Sequence, residues 1–541
     1  MILVPMESHC IPASHLPHTT RLFGAFVDNF LGVAEFYSHS PTLEGVERSA
    51  REVRLAPETR REVVEILRAQ NRAFGGDAAI EQNLSRLAAG AVAVVTGQQV
   101  GLFTGPSYSF YKAIGAVALA RKLTERGVEA VPIFWLAAED HDLAEVNHAW
   151  WQGRPGLERL EWPGAADGRR VGEVELGQAI VPVVERAAGQ LEGPFADELA
   201  RALRDCYAPQ ESFGSAFAKL MARVFAGRGL ILLDPQSPRL HSLAATINRR
   251  AIEESTELTR ELVARGNALE AAGFHAQVRV TESSTLLFLD VDGKRTPLRR
   301  RNHGFAAGSK TFAASGLLAL LESEPHRFSA NALLRPVVQD HLLPTAAYLG
   351  GPAEVAYFAQ AEVIYKQLGV TMPAVLPRPG FTLVEPKLQR LLRRYGLEIG
   401  DFFAGGQKLR GKMEAAHLPK GLAGRFDRGE KALRATLEKL REPVGKVDAT
   451  LLGALENAEK KMLYQFGKLR GRAARAEAFR AGVIDRHEKT LVESLFPHHG
   501  LQERSLCFLP FLARHGAGLL EELLRRTAEH PAPGSHDVIF L

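Results

Sequence analysis

The stretch that decides the fold runs from Val92 to Asp142 and reads VAVVTGQQVGLFTGPSYSFYKAIGAVALARKLTERGVEAVPIFWLAAEDHD. Its opening run, residues 92–95, is short, apolar and β-branched, which is typical of a buried strand that stops at Thr96-Gly97. A helix is predicted after Pro106, because proline is favoured at the first helical position. Residues 131–136 then predict a second strand. This succession indicates a parallel α/β unit, whose ligands bind outside the carboxyl ends of the strands.

Further apolar segments extend this pattern along the chain. Residues 230–233, 345–349 and 374–378 each predict a buried strand, and helical patterning precedes them. The expected fold class is therefore α/β, with a parallel-sheet core in residues 1–385. Two segments, roughly 150–205 and 273–325, interrupt the pattern and are predicted to be insertions.

Several local predictions concern the insertions and the segment between them. Residues 157–162 and 170–176 are hairpin-like, and Arg154-Pro155 lies in a turn-rich segment before them. Residues 277–280 and 285–289 predict strands, with Asp292-Gly293 as a turn. One long helix is predicted over residues 239–272.

The sequence pattern changes between residues 386 and 485, where no segment predicts a strand and charged residues become more frequent. The segment Glu442-Pro443-Val444-Gly445 breaks the helical pattern, so two helices joined there should form an antiparallel coiled-coil hairpin. Residues 486–541 become apolar again and are expected to pack back on the core. The second helix carries apolar residues at spacings of 4, 3, 4, 4 and 3, close to an a/d seam: Leu451, Leu455, Ala458, Met462, Phe466 and Leu469.

Basic side chains crowd the same helix: Lys460, Lys461, Lys468, Arg470, Arg472 and Arg475. Such a cluster is typical of the solvated face of a coiled coil. An RNA-binding arm is the alternative, although basic helices without interleaved aromatic residues are a poor nucleic-acid signature. Nucleic acid is therefore not the expected partner.

The composition is that of an ordinary globular protein. The 541 residues are 46% hydrophobic and 24% charged, and the net charge of +5 is too small to indicate a polyanionic partner. The sequence contains no apolar run of the roughly 18 residues that a membrane span needs, and its N-terminal segment does not resemble a signal peptide. Cys10, Cys206 and Cys507 lie far apart, which predicts reduced structural thiols in a cytoplasmic protein.

The loop after the first strand is a candidate ligand-binding element. Its glycines permit close approach of a ligand, and the following helix N-terminus favours an anion that a lysine side chain could reach. The loop lacks the spacing of a Walker A or dinucleotide-binding motif, and a tight strand–helix turn is the structural alternative. Two consecutive amides at a strand end favour the binding of a polar substrate. The candidate binding residues are Thr96, Gly97, Gln98, Gln99, Gly101, Thr104, Gly105 and Lys112.

Four consecutive polar residues, Glu139 to Asp142, follow the second strand. Such a cluster can supply a general base, a metal site or a grip on an ammonium group. Helix capping by Asp140 or Asp142 is the structural alternative. We expect Asp140, His141 and Asp142 to be catalytic and Glu139 to bind substrate; a role for His148, seven residues after His141, is a weaker hypothesis.

A third glycine-containing turn, Gly350-Gly351-Pro352, carries further candidates. Arg335 precedes it and is suited to bind a carboxylate through its planar fork, although a surface ion pair would also explain this residue. Glu354 and Tyr357 lie on the helix that follows the turn and complete the predicted binding residues.

Four stretches carry a family resemblance: VVTGQQVGLFTGP, PIFWLAAEDHDLAEVNH, RFSANALLRPVVQDHLLPTAAYLGGPAEVAYF, and LQER at residues 501–504. They resemble the BshC family, the cysteine-adding enzymes of bacillithiol biosynthesis, and the resemblance covers essentially the whole chain. It implies a Rossmann-like core with two connective insertions and an α-helical coiled coil that mediates homodimerisation. It also implies a ligase that joins cysteine to glucosaminyl-malate by an amide bond in the last step of the pathway.

The family core is similar to those of class I aminoacyl-tRNA synthetases and the mycothiol ligase, which activate cysteine with ATP and hold its thiol with zinc. ATP is therefore a candidate cosubstrate here, although the sequence shows no Cys/His zinc cluster and no metal site is predicted. In the expected mechanism, the glycine loop and Lys112 hold the activating anion. One residue of Asp140, His141 and Asp142 accepts the proton of the attacking amine, and Arg335 binds the malate moiety. The alternative function is a synthetase-derived RNA-binding protein.

Overall fold

A computed structural model describes residues 7–153, 156–301, 304–529 and 534–541 of the chain. The chain forms two compact units. The α/β unit comprises Cys10–Phe381 and Glu503–Asp537, and the helical unit comprises Thr382–Gln502, Val538–Leu541 and the N-terminal residues up to His9. The sequence placed the corresponding domain boundaries at residues 385 and 485.

The core of the α/β unit is a five-stranded parallel sheet, as predicted. Its strands are β1 (Val92–Gln99), β2 (Ala130–Ala137), β3 (Ile231–Leu233), β4 (Thr345–Gly350) and β5 (Ala374–Pro377). The spatial order is β5-β4-β1-β2-β3, so β1 is central and the strand order reverses beside it. All five carboxyl ends therefore meet at one edge of the sheet.

Strand β1 is longer than the sequence predicted. It continues past Thr96-Gly97 to Gln99, because Gly97, Gln98 and Gln99 pair in parallel with Trp135, Leu136 and Ala137 of β2. A Cβ atom at Gly97 would lie 2.7 Å from the Trp135 carbonyl oxygen, so this position requires glycine for close packing of the strands. The two glutamine side chains consequently start from the rigid end of a central strand.

Helices cover both faces of the sheet, and the core is almost entirely apolar. The helix predicted after Pro106 spans Tyr108–Glu125, whereas the predicted long helix of residues 239–272 is two helices separated at Glu254. The helices of this unit are Arg21–Asp28, Leu43–Glu52, Pro57–Ala73, Ala78–Ala88, Tyr108–Glu125, Leu143–Val146, Ile180–Gly189, Ala196–Cys206, Phe213–Val224, Pro238–Glu253, Ser255–Ala271, Ala314–Ser323, Arg335–Leu342, Pro352–Leu368, Leu509–His515 and Ala517–Glu529.

The first predicted insertion contains one antiparallel hairpin, His148–Gly153 with Gly156–Glu161. The hairpin character predicted for residues 157–162 is thus confirmed, and the Arg154-Pro155 turn lies outside the described residues. The hairpin predicted at residues 170–176 is wrong, because this segment contains a 3-10 turn, Val171–Glu173. The Val171 N–H donates to Asp140 O, in the loop after β2, at 2.7 Å.

Four strands of the second predicted insertion, together with Phe328–Ala330 just beyond its predicted bounds, form a five-stranded antiparallel sheet. In spatial order its strands are Lys310–Phe312, Gly304–Ala307, Lys294–Arg301, Ser284–Val291 and Phe328–Ala330. The turn at Asp292-Gly293 is confirmed, since both residues have positive φ between two paired strands. The strand predicted at residues 277–280 is absent from this part of the described chain; there the Val278 backbone bonds to the Gln360 side chain instead.

The helical unit contains Pro386–Tyr395, Ile399–Phe403, Gly406–Ala416, Lys420–Val447, Leu451–Ala481 and Ile484–Leu495. The two long helices form the predicted hairpin, but the predicted break at residues 442–445 is wrong. Pro443 lies inside the first helix, and the chain turns at residues 448–450, where Asp448 accepts hydrogen bonds from Thr450. The remaining strands of the chain are Ser8–Ile11, Gly380–Val384 and His536–Phe540.

The hairpin buries only part of its seam. Phe466 contacts Phe426 of the other helix at 5.5 Å between ring centroids, whereas Leu451, Met462 and Leu469 are 42%, 47% and 56% exposed. Salt bridges join the two helices, including Arg470 with Asp427 at 2.7 Å, and so neutralise part of the basic cluster. No helix among the described residues combines the length and the apolar character that a bilayer crossing requires.

Candidate active site

A cavity of about 650 Å³ opens at the edge of the core sheet where the carboxyl ends of the strands meet. Each strand contributes lining close to that end: Gln98 from β1, Ala137 from β2, Pro235 after β3, Tyr348 from β4 and Arg378 after β5. Ligands of parallel α/β sheets bind at this edge, beside the reversal of strand order. The cavity is therefore the candidate active site.

Lys112 lines this cavity, but its side chain is only 3% exposed. Its Nζ donates to Gly97 O at 2.7 Å and to Gln98 Oε1 at 2.9 Å, and it pairs with Glu354 Oε2 at 2.5 Å. An ammonium group has three donors, so the protein itself uses all of them. Burial lowers the pKa of Lys112, and the neighbouring Glu354 opposes this effect. Lys112 thus has no donor left for the anion that the sequence assigned to it.

Glu354 connects the third glycine turn to the same network. Its Oε2 accepts from the Gly351 N–H at 2.7 Å, and its Oε1 accepts from the Tyr348 hydroxyl at 2.6 Å. Burial alone would raise the pKa of Glu354, but Lys112 and these hydrogen bonds hold it below the ordinary value. Glu354 is therefore an ionised structural carboxylate whose partners fix the entry to helix Pro352–Leu368.

Arg335 is half-buried at the wall of the cavity and is not part of a surface ion pair. Its guanidinium donates to Gln339 Oε1 at 3.0 Å, to Tyr348 Oη at 3.3 Å and to Tyr357 Oη at 2.9 Å. Tyr357 thus supports Arg335 directly. Because arginine has five N–H donors, these contacts leave two for a ligand in the cavity.

The two glutamines at the end of β1 are both engaged by other side chains. Gln98 Nε2 lies 3.3 Å from the Tyr108 hydroxyl, and Gln99 Nε2 donates to Asp140 Oδ2 at 2.8 Å. Asp140 Oδ1 also accepts from the backbone N–H of His141 at 2.7 Å. Burial would raise the pKa of Asp140, but these hydrogen bonds and nearby Arg295 hold it below the ordinary value. Asp140 is thus a well-supported anion and a weak base.

Arg295 reaches the cavity from the antiparallel sheet of the second insertion. Its guanidinium stacks 3.7 Å from the centroid of the Phe288 ring and donates to Ser329 Oγ at 3.0 Å and Ala330 O at 2.9 Å. The same group lies 3.3 Å from His141 Nδ1 and 3.7 Å from Asp140 Oδ1. The same Nδ1 lies 3.4 Å from Asp140 Oδ1, so it either accepts from Arg295, with the proton on Nε2, or donates to Asp140. The first tautomer presents a donor rather than a base at Nε2.

Glu139 lies deeper than the rest of the acidic cluster. Its Oε1 is buried without a hydrogen-bond partner among the described residues, 3.4 Å from His241 Nε2 and 3.9 Å from Arg170. Burial raises the pKa of Glu139, and the surrounding arginines offset this only in part. Of the carboxylates that line the cavity, Glu139 is therefore the one best suited to accept a proton.

The C-terminal part of the α/β unit also contributes to the cavity. Glu503 Oε1 accepts from Arg378 at 2.6 Å, and the Arg378 guanidinium lies 5.4 Å from the Tyr108 ring centroid. The next residue, Arg504, also lines the cavity; its side chain is exposed and makes no hydrogen bond or ion pair among the described residues, although its charge acts on the nearby Tyr108. Arg504 is consequently available to bind an anionic ligand.

Five predicted site residues lie outside the cavity lining: Thr96, Gly101, Thr104, Gly105 and Asp142. The loop packs inward, with Phe103 between Trp151 and Tyr207, and a Cβ atom on Gly101 would lie 3.2 Å from the Gly105 Cα. Thr96 is fully buried and bonded to Leu349 O. Asp142 is exposed at the start of helix Leu143–Val146 and makes no side-chain capping bond.

The structure also adds cavity residues that the sequence did not predict. Arg378 follows a strand end, so the rule that selected Glu139 would have found it. Arg295 and Phe288 come from the second insertion, and Asn331 directly follows the strand Phe328–Ala330; sequence offers no comparable signal at these positions. Within the described ranges, no group of three or more His, Cys, Asp and Glu side chains is arranged to hold a metal ion.

Two family sequence models match the chain end to end. The N-terminal Rossmann-like domain of bacillithiol biosynthesis BshC matches residues 6–379, and the C-terminal coiled-coil domain of the same family matches residues 381–541. The core and the hairpin described above thus correspond to the two domains of one family.

Curated relatives named "Putative cysteine ligase BshC" are similar to the chain over most of their length. The protein of Koribacter versatilis is 41% identical over 96% of this chain and 97% of its own length. The Solibacter usitatus protein is 38% identical over 95% and 96%, and the Salinibacter ruber protein is 34% identical over 98% of both chains.

Proposed function

Because the chain belongs to the BshC family of bacillithiol biosynthesis, we propose that it is a ligase that joins the carboxyl group of cysteine to the amino group of glucosaminyl-malate. This reaction would complete bacillithiol as the last step of its synthesis. The names of the relatives support a cysteine ligase. The amine substrate and the order of the step are our proposal.

One observation about the cavity carries the proposal. It combines free guanidinium donors, from Arg335 and Arg504, with a buried carboxylate of raised pKa, Glu139. Amide formation needs both kinds of group, because a carboxylate must be held and activated while an ammonium group loses a proton to become a nucleophile. A cavity of about 650 Å³ is of the size typical of small-molecule sites.

ATP is the proposed cosubstrate, and the cavity lining suits a polyanion. Arg335, Arg378 and Arg504 all line the cavity, and the N-terminus of helix Pro352–Leu368 adds its positive end. ATP would supply the activation of the cysteine carboxyl group. The protein's part is to bind the anions and to exclude water from the activated group.

We propose Glu139 as the base that takes the proton of the attacking amine. Asp140 would hold the substrate ammonium group before this step, since its lowered pKa keeps it ionised. His141 would donate a hydrogen bond through Nε2, with its ring oriented by Arg295. This assignment transfers the role of base from Asp140, His141 and Asp142 to the neighbouring carboxylate.

We propose that Arg504 and Arg335 bind the carboxylates of the malate moiety. Arg504 is the more accessible of the two and has no hydrogen bond or ion pair with the described parts of the chain that would compete with a ligand. Arg335 is held in place by two tyrosines and a glutamine, which is the arrangement expected of a preorganised carboxylate fork.

We further propose that the protein is a cytoplasmic homodimer that associates through the hairpin, whose apolar seam is partly exposed. The RNA-binding alternative receives no support from the relatives described above, whose names refer to a cysteine ligase. Salt bridges between the hairpin helices also reduce the positive charge available to a phosphate backbone.

Mass detection of the product tests the proposed reaction. The purified protein is incubated with cysteine, glucosaminyl-malate and ATP, and the expected product is the conjugate of cysteine and the amine with loss of water. N-acetylated glucosaminyl-malate is the matched control, because its nitrogen is blocked and should give no product. Product formation without ATP would exclude ATP as the required cosubstrate. Failure to form product in the complete mixture would contradict the proposed reaction.

A further inference from the structure

A second cavity of about 20 Å³ adjoins the candidate active site and shares Glu139, Trp135 and Arg335 with it. We call it the side pocket. A volume of roughly 10–15 Å³ measured in this way holds one water molecule, so the side pocket has room for about one large atom. Its remaining walls are mostly apolar and include Leu240, Ala244, Phe328, Val338 and Leu342.

Three buried polar atoms of the side pocket lack hydrogen-bond partners among the described residues: Glu139 Oε1, His241 Nε2 and Asn248 Oδ1. The first two lie 3.4 Å apart. His241 and Asn248 are 5% and 2% exposed. His241 is also hydrogen-bonded to the Phe328 backbone, and burial together with Arg170 lowers its pKa to about 3. The ring is therefore neutral, and Nε2 is its acceptor. Buried acceptors without a donor are costly, which indicates that the side pocket receives a hydrogen-bond donor.

The positive charge around the side pocket favours a neutral hydrogen-bond donor over a cationic one. Arg335 lines it, and Arg170 lies 3.9 Å from Glu139 Oε1. Inside the side pocket a substrate ammonium would gain the attraction of Glu139 but would also meet these two guanidinium groups in a buried setting, where like charges repel strongly. The apolar walls also disfavour a strongly hydrated group, since its transfer out of water is costly.

We infer that the side pocket binds the thiol of the amino-acid substrate, with the S–H donating to His241 Nε2 or Asn248 Oδ1. This inference rests on the proposed function and extends it to the side chain of the amino acid. A thiol is neutral, is a weak donor and behaves as a small apolar group. Its sulfur would also contact the rings of Trp135 and Phe328, and sulfur–aromatic contacts are favourable.

The position of the side pocket agrees with the chemistry proposed for the main cavity. Glu139 lies at the junction of the two cavities. A cysteine with its sulfur in the side pocket would therefore place its carboxyl group, two bonds beyond Cβ, in the main cavity near Glu139. The same pocket would admit serine or alanine. Serine loses more hydration on entry and alanine supplies no donor, so cysteine should be preferred over both.

An internal competition between amino acids tests the inference. Wild-type protein and variants receive equal concentrations of cysteine, serine, alanine and 2-aminobutyrate, in which a methyl group replaces the thiol, together with the amine and ATP. The ratios of the products are read by mass. Ala244→Val fills the side pocket, and Asn248→Leu removes an acceptor at similar volume. We expect each variant to lower the ratio of cysteine to alanine product at least tenfold.

Ala245→Val is the matched control, because Ala245 is the neighbouring residue on the same helix and lines neither cavity. Its product ratios should equal those of the wild type, and thermal unfolding verifies that each variant is folded. An unchanged cysteine-to-alanine ratio in folded Ala244→Val and Asn248→Leu would overturn the inference. An equal loss of all products would also overturn it, since the side pocket would then not bind the side chain. Absence of cysteine product from the wild type would instead contradict the proposed function.

Discussion

At the level of single residues, Lys112 Nζ and Glu354 Oε2 form an ion pair at 2.5 Å that is largely shielded from solvent. The charge of each side chain is therefore stabilised by the other. Removing either partner leaves an uncompensated buried charge, which typically costs about 3–5 kcal/mol. We therefore expect Lys112→Met and Glu354→Gln each to lower the free energy of unfolding by roughly that amount. The double variant should lose less than the sum. Urea unfolding at pH 7 measures these differences, and strictly additive losses would contradict the coupling.

The same pair predicts the direction of a pH effect. The pKa of Glu354 is held below its ordinary value of 4.5 in the folded protein. Its stabilisation is therefore fully present above pH 4.5 and is lost as the pH falls through the lowered folded pKa. The Glu354→Gln variant should lack this acid-dependent component.

Two neighbouring carboxylates have opposite pKa shifts, which makes the identity of the base testable. Burial raises the pKa of Glu139 above 4.5, whereas the partners of Asp140 hold its pKa below 3.8. A base must be deprotonated, so kcat should fall as the pH drops through the pKa of Glu139. We expect an acid limb of the kcat profile above pH 4.5 that Glu139→Gln removes. A limb below pH 3.8 that Asp140→Asn removes would assign the base to Asp140.

At the level of secondary-structure elements, the second insertion supplies Arg295 to the site. Lysine keeps the charge but lacks the planar fork that holds Ser329, Ala330 and His141 together. Arg295→Lys should therefore lower kcat by up to about 10²-fold, the effect of a small misplacement of reacting groups, while KM changes less. Arg299→Lys, on the same strand but outside the cavity lining, is the control. Equal values of kcat and KM for the two variants would show that Arg295 does not position the groups of the site.

The exposed apolar residues of the hairpin predict where two copies of the protein contact each other. Met462 and Leu469 are seven residues apart and lie on one face of helix Leu451–Ala481, both about half exposed. Replacing both with aspartate should yield monomers by light scattering, because charges would enter an apolar contact. Gly453→Asp lies nine residues from Met462, on the opposite face, and a side chain there meets nothing within 4 Å. That control should remain dimeric; a dimeric double variant would place the interface elsewhere.

The core strands could be predicted from sequence because apolar patterning depends only on neighbouring residues, although β1 continues past its predicted end to Gln99. This rule predicted the core sheet, and it predicted that Gln98, Glu139 and Asp140 lie at the same edge, where the carboxyl ends of the strands meet. It could not find Arg295 or His241, which reach the site from elements placed by tertiary packing. The prediction that the glycine loop binds a ligand also missed how the loop folds. Phe103 and Thr104 adopt positive φ values of 51° and 72°, and the loop packs into the core.

At the level of the whole molecule, the chain leaves the α/β unit after Phe381 and returns at Glu503. On return, Glu503 accepts from both Arg378 and the Phe381 backbone N–H, and Arg504 enters the cavity lining. Residues separated by more than 120 positions thus complete one site. The lining of the active-site cavity is therefore complete only when the segment that begins at Glu503 is packed in the α/β unit.

The most direct test of the central claim compares product formation by two variants of the same acidic cluster. Cysteine, glucosaminyl-malate and ATP are supplied to Glu139→Gln and Asp142→Asn protein, and the conjugate is quantified by mass over time. Glu139 lines the cavity and Asp142 does not. We predict a loss of about 10²-fold or more for Glu139→Gln, the usual effect of removing a positioned base, and near-wild-type turnover for Asp142→Asn. Wild-type turnover by folded Glu139→Gln protein would contradict the account.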